Sequence, residues 1–197
     1  MSQSLTAETL QPLMNVTTTT PARYTGVAMA LHWLLAVLIV GSFSVGLYMV
    51  DLPFSPQRLK LYNWHKWAGV IILTLSAARL LWRLTHQPPA DAPMPAWQAR
   101  AAHAAHLALY TLFFAVPLMG WAYSSAAGFP VVLFGMLPLP DFVPVSRELA
   151  DALKPWHGWL AKGLAAVVLL HVAGALKHHF IDRDGLLRRM WPAFTRN

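Results

Sequence analysis

The sequence predicts an all-α fold: an integral membrane four-helix bundle, N-in/C-in. Three observations predict it. Of 197 residues 56% are apolar and only 12% charged, too few polar groups to cover a water-soluble globule. Four apolar stretches each approach the ~20 residues with which a helix crosses ~30 Å of hydrocarbon. An even number of spans puts both termini on one side, and the basic residues are shared unequally between the two sides.

Residues 1–23 contain Glu8, one basic residue (Arg23) and a Thr17 to Thr20 run closed by Pro21. With no apolar core or cleavage site, they read as a disordered cytoplasmic tail and not a signal peptide. The membrane domain covers 24–192, with spans at about 26–50, 65–84, 103–126 and 157–179, and residues 193–197 form a second cytoplasmic tail. Between the third and fourth spans, Gly128 to Leu153 carries Pro130, Pro138, Pro140 and Pro144 among apolar residues. It is too proline-rich for a regular span and too apolar for a hydrated linker, so it is expected to cap the outer surface. Repeats and soluble domains are absent from the pattern, and one bundle accounts for the chain.

Orientation follows from charge. With the N-terminus inside, Arg23, Arg79, Arg83, Arg100, Lys177, Arg183, Arg188, Arg189 and Arg196 lie inside, and Arg58, Lys60, Lys66, Arg147, Lys154 and Lys162 outside. Nine against six favours both termini in the cytoplasm. Trp64, Trp67, Trp156 and Trp159 near the outer boundary, with Tyr24, Trp82 and Trp97 near the inner one, sit where interfacial aromatics anchor a bundle.

No cysteine is present, which excludes disulfides, iron–sulfur clusters, thiolate ligation and covalent haem attachment, and leaves nine histidines as the chief metal ligands. An imidazole inside a membrane is costly and usually functional, and here the depths pair. His32 and His171 each lie about two turns from the inner boundary. His65 and His157 open the second and fourth spans from the outer side. The fourth helix supplies one member of each pair at a spacing of 171 − 157 = 14 residues, about −40° of rotation and ~21 Å of rise. Both imidazoles therefore face the bundle interior at two levels, the arrangement that holds two b haems stacked in the bundle core. Such a rise is too long for a binuclear centre. A single intramembrane histidine more often joins helices by hydrogen bonds, but four at two matched depths favour iron ligation. His103 and His106, at i and i+3 on the inner side, remain alternatives to His32.

Arg79 follows His65 by the same 14 residues and so faces the core at the inner level, where its guanidinium suits a haem propionate; Arg83, one turn on, is a second candidate or an interfacial snorkel. His178, two turns beyond His171, lies below the inner level, where it can meet a quinone carbonyl or simply belong to the basic stretch Lys177, His178, His179. His86 sits in a polar loop with no assigned role. Outside, Lys66 and Lys154 flank the outer histidines and can steer an anion inward.

These residues resemble a family. A-L-H-W around His32, N-W-H-K-W-A-G around His65, A-R-L-L-W-R-L around Arg79, H-A-A-H-L-A-L-Y around His106, L-K-P-W-H-G-W-L-A-K-G around His157 and L-L-H-V-A-G-A-L-K-H-H-F around His171 are, in order and spacing, similar to bacterial cytochrome b561 proteins from Tyr24 to Pro192. The resemblance implies two haem b groups, with His32 and His171 on the inner iron and His65 and His157 on the outer one, and it matches Arg79 and His178. It also implies superoxide oxidation outside and ubiquinone reduction: oxygen and ubiquinol as products, and no catalytic acid or nucleophile. No nucleic acid and no obligate protein partner are expected. A cytochrome b subunit serving a separate dehydrogenase or hydrogenase uses the same bundle and stands as the alternative. A transporter or cation channel is a third reading.

Overall fold

The computed structural model describes residues 23–191; the expected tails, apart from Arg23, lie outside the described residues, as does Arg196. Helix α1 (Gly26–Val50) starts at Thr25, whose hydroxyl accepts the Ala28 N–H. Helix α2 (Pro56–Thr85) starts at the Ser55 cap with proline at its first position, where a missing N–H costs nothing. Helix α3 (Ala96–Ala126) follows a proline-rich connection, and α4 (Arg147–Lys177) starts at the Ser146 cap. Between α3 and α4 lies a two-stranded antiparallel hairpin, β1 (Val132–Leu133) and β2 (Leu137–Pro138), turned by Phe134 and Gly135, both at positive φ.

All four helices are long and apolar enough to cross a membrane. They outrun the apolar stretches of the sequence: α2 begins nine residues before His65, α3 seven before His103 and α4 ten before His157. The last residues of the expected Gly128–Leu153 cap, from Arg147, are thus the first turns of α4, because a serine cap fixes a helix start that hydropathy does not register.

Successive helices pack against one another, and both ends of the described chain meet. The Tyr24 N–H donates to the Arg189 carbonyl (3.3 Å), the Trp33 indole to the Met190 carbonyl (2.8 Å) and Arg189 to the Ala90 carbonyl (2.7 Å). This is the terminal end. The distal end carries residues 51–55 and the hairpin, which Trp67 ties down by donating to the Val132 carbonyl at 2.7 Å.

Burial is inverted relative to a soluble protein. Val37, Leu107, Leu169 and Leu170 point outward, at 69–70% exposure. The buried apolar cluster of Leu35, Ile39, Ile72, Leu109 and Leu164 is a thin layer across mid-bundle. Leu164 is seven residues from both His157 and His171, and Ile72 seven from both His65 and Arg79, so the layer separates two histidine levels.

Candidate functional site

At the distal level α2 brings His65 opposite His157 of α4, with ring centres 6.0 Å apart. At the terminal level His32 of α1 faces His171 of α4 at 6.2 Å. Two imidazoles that share one metal through bonds of about 2 Å place their ring centres about 6 Å apart. All four side chains are half-buried. Every one of the four nominated histidines thus meets its expected partner.

The distal pair is also oriented for ligation. His65 Nδ1 lies 3.0 Å from the Ser42 carbonyl oxygen, and His157 Nδ1 lies 3.1 Å from that of Val116. A carbonyl only accepts, so both rings carry their proton on Nδ1 and present a bare Nε2 lone pair, the usual outer bond of a metal-ligating histidine. Helix backbones come close behind both rings. A Cβ on Gly46 would meet the His65 ring at 3.1 Å, and one on Gly120 the His157 ring at 2.8 Å. These glycines leave the space in which the imidazoles sit.

Sequence reasoning missed both glycines and both carbonyls. A signal for the glycines exists in the 14-residue spacing, which recurs on every helix: His32 to Gly46, His65 to Arg79, His106 to Gly120 and His157 to His171. Each helix offers one inward position per level, filled by a ligand, a charge or a residue small enough to admit a neighbour's ring.

His103 is exposed, lies 2.7 Å from its own helix's Ala99 carbonyl through Nδ1, and sits 3.7 Å from Asp91. That engagement turns it away from the interior. His106 comes within 5.3 Å of His171, shorter than the paired separations, and lies on a more exposed surface than His32. His86 stacks on Trp82 at 3.7 Å.

A terminal-end cavity of about 210 Å³ is lined by Arg23, Arg79, Arg83 and Tyr110 among others. Arg79 Nε donates to the Tyr110 hydroxyl at 3.3 Å, and among the described residues no carboxylate pairs with it, so its Nη groups remain for an anion. Arg83 is more exposed, as a snorkelling residue would be. A distal cavity of about 100 Å³ is lined by His65, Lys66, Gly120, Trp121 and His157 among others. Lys66 is not a free surface cation: its ammonium donates to the Phe129 and Pro130 carbonyls at 3.3 and 3.1 Å. Lys154 is exposed on the outer turns of α4.

His178 opens a π-helical turn, His178–Asp182, closed by Arg183 in the left-handed region at φ 53°. Such turns concentrate at functional sites. Its Nδ1 lies 2.6 Å from Asp184 and 3.2 Å from Asp182, which also pairs with Lys177. Burial works to raise the Asp184 carboxyl, but hydrogen bonds from the Leu186 N–H and His178 outweigh it and hold it below its ordinary value.

Two levels of paired, partly oriented imidazoles in a cysteine-free membrane bundle fit haem b, and the family comparison agrees. The prokaryotic cytochrome b561 family model matches residues 23–193. The chain belongs to the prokaryotic cytochrome b561 family. Among curated proteins, this b561-family chain is 38% identical over 175 residues to cytochrome b561 homolog 2 of Escherichia coli K12, covering 88% of the chain and 93% of that relative. It is 31% identical to the probable superoxide oxidase CybB of Yersinia pestis, covering 86% and 96%, and 29% identical to cytochrome b561 homolog 1 of E. coli K12, covering 86% and 97%. Membership makes it a bacterial membrane cytochrome b that binds haem b and transfers electrons.

Proposed function

We propose that this cytochrome oxidises superoxide at its distal end and reduces ubiquinone near its terminal end, with the distal end outside the bacterial inner membrane and both termini in the cytoplasm. The observation that carries the reading is the double pairing on α4, 6.0 Å at one level and 6.2 Å at the other. Superoxide as donor is supported by the relative from Y. pestis, whose name is probable superoxide oxidase, and by the exposed Lys154 at the distal end. The nine-to-six excess of basic residues supports the orientation.

Two bound haem b groups supply one-electron relays, so that two superoxide anions, one quinone and two protons become two oxygen molecules and one quinol. His65 and His157 hold the distal iron, with Ser42 and Val116 fixing their tautomers. His32 and His171 hold the terminal iron. Arg79 and Arg83 would pair the propionates of the terminal haem, a role that suits an arginine with no carboxylate partner among the described residues. His178, whose Nδ1 lies 2.6 Å from Asp184 and 3.2 Å from Asp182, would give a proton to the reduced quinone.

A second reading rests on the distal hairpin, where Phe134 and Met136 are 55% and 80% exposed and offer an apolar surface to a partner dehydrogenase or hydrogenase. One experiment separates the two. Purified protein is mixed with a superoxide-generating system and ubiquinone, with superoxide dismutase as the control. Dismutase-sensitive haem reduction and quinol formation are expected. An intact b-type spectrum that superoxide does not reduce would give the role to the partner-subunit reading.

A further inference from the structure

Three buried side-chain polar atoms have no hydrogen-bond partner among the described residues: Ser76 Oγ, Ser125 Oγ and Trp121 Nε1. The serines differ in kind from the tryptophan. A helical serine hydroxyl can turn to the carbonyl four residues back, Ile72 for Ser76 and Trp121 for Ser125. The indole offers one donor in a fixed direction and accepts nothing, so its own helix cannot satisfy it. The Trp121 ring is also held, with Phe142 of the distal loop edge-on against it at 5.3 Å and 82°. A buried donor left unmade is destabilising, so a fixed, orphaned N–H calls for an acceptor from outside the polypeptide.

The surroundings identify that acceptor. Trp121 adjoins Gly120, which backs the His157 ring, and it lines the cavity shared by His65 and His157. Lys66, a cation that lines the same cavity, can only donate and is committed to two backbone carbonyls. An acceptor for the indole can instead arrive with the group that the histidine pair would hold. The acidic groups of haem b are its carboxylates, and an N–H donated to a carboxylate is a charge-assisted bond.

We propose that Trp121 donates its indole N–H to a propionate of the haem held by His65 and His157. This rests on the two-haem reading and adds to it a residue that anchors the distal group by its periphery, as Arg79 does for the terminal one. Loss of the donor leaves the propionate more negative, which favours ferric iron and lowers the potential of the distal haem.

The test is Trp121→Phe in the complete holoprotein, which keeps an aromatic ring beside Phe142 and removes the N–H together with part of the indole. Ser125→Ala, four residues on, is the companion variant. Haem loss to an acceptor apoprotein and the midpoint potential of each haem are measured together, so the terminal haem serves as internal control. Expected for Trp121→Phe are about tenfold faster loss of the distal haem and a fall in its potential, with the terminal haem unchanged and Ser125→Ala like the parent. Unchanged distal loss and potential would overturn the proposal, as would loosening of both haems together, the mark of a merely structural role. A parent without two b-type haems would instead sink the two-haem reading, before any variant is compared.

Discussion

Gly120→Ala tests how the distal pair is built. The added Cβ would sit 2.8 Å from His157 Cε1 and 3.0 Å from Nδ1, whereas ordinary contact begins at 3.4 Å. The obstacle is an imidazole held on one side by the Val116 carbonyl and, under the proposed ligation, on the other by iron, so the ring must retreat by roughly 0.5 Å or more. Ligand bonds tolerate about 0.2 Å, and disturbing the outer bond of a metal-bound histidine costs about 10–100-fold in affinity. Gly120→Ala is thus expected to lose the distal haem and keep the terminal one. Gly46→Ala meets the His65 ring at 3.1 Å, needs a shift of only a few tenths of an ångström, and should give an intermediate, partly loaded protein. Gly163→Ala on α4 meets nothing within 4 Å and should load fully, with a helix steadier by up to ~1 kcal/mol. The assay is the haem-to-protein ratio from the reduced pyridine haemochrome. Two haems per chain in Gly120→Ala would refute the reasoning.

Further outcomes follow from the same geometry. Alanine at His32, His65, His157 or His171 should each remove about one haem, whereas His106→Ala should retain two, and the same ratio decides. Arg79→Gln should lower the midpoint potential of the terminal haem with less effect on the distal one, read by a redox titration of the alpha band. Lys154→Gln should slow reduction by superoxide, and added salt should slow the parent, in stopped-flow traces; salt-independent rates would exclude steering. Lys66→Gln should loosen the Phe129–Pro130 segment, visible as faster amide exchange at Phe129. Because Asp184 is held below its ordinary value of 3.8, its contribution to stability is present above that pH and lost as pH falls through the lower folded value. The protection of the Leu186 amide, taken relative to its intrinsic exchange rate at each pH, should therefore hold at neutral pH and fall only under strongly acidic conditions.

The parts of this protein that were legible in its sequence are those whose signal is carried by residue type and period. Four apolar runs identify the four helices, and a 14-residue spacing on one helix sorts the histidines into levels. Helix starts were less legible because Ser55 and Ser146 set them in proline-containing sequence beyond the apolar stretches. Ser42 and Val116 were invisible as partners because they act through backbone carbonyls, which every residue has. Gly46 and Gly120 carry chemistry only through what approaches them from another helix. Lys66 read as a free cation because the carbonyls that bind it belong to residues more than sixty positions away.

The apolar layer of Leu35, Ile39, Ile72, Leu109 and Leu164 has an energetic consequence for the cell. It is built of aliphatic side chains, none of which can carry a proton, so under the proposed route each electron would cross it as bare charge. Under the proposed route that charge moves inward while the protons for the quinone are drawn from the cytoplasm, so every turnover makes the interior more negative. A full crossing against an inside-negative potential costs about 2.3 kcal/mol per 100 mV. An enzyme that disposes of a toxic oxygen species would in this way help to energise its membrane, and a well-charged membrane would slow it.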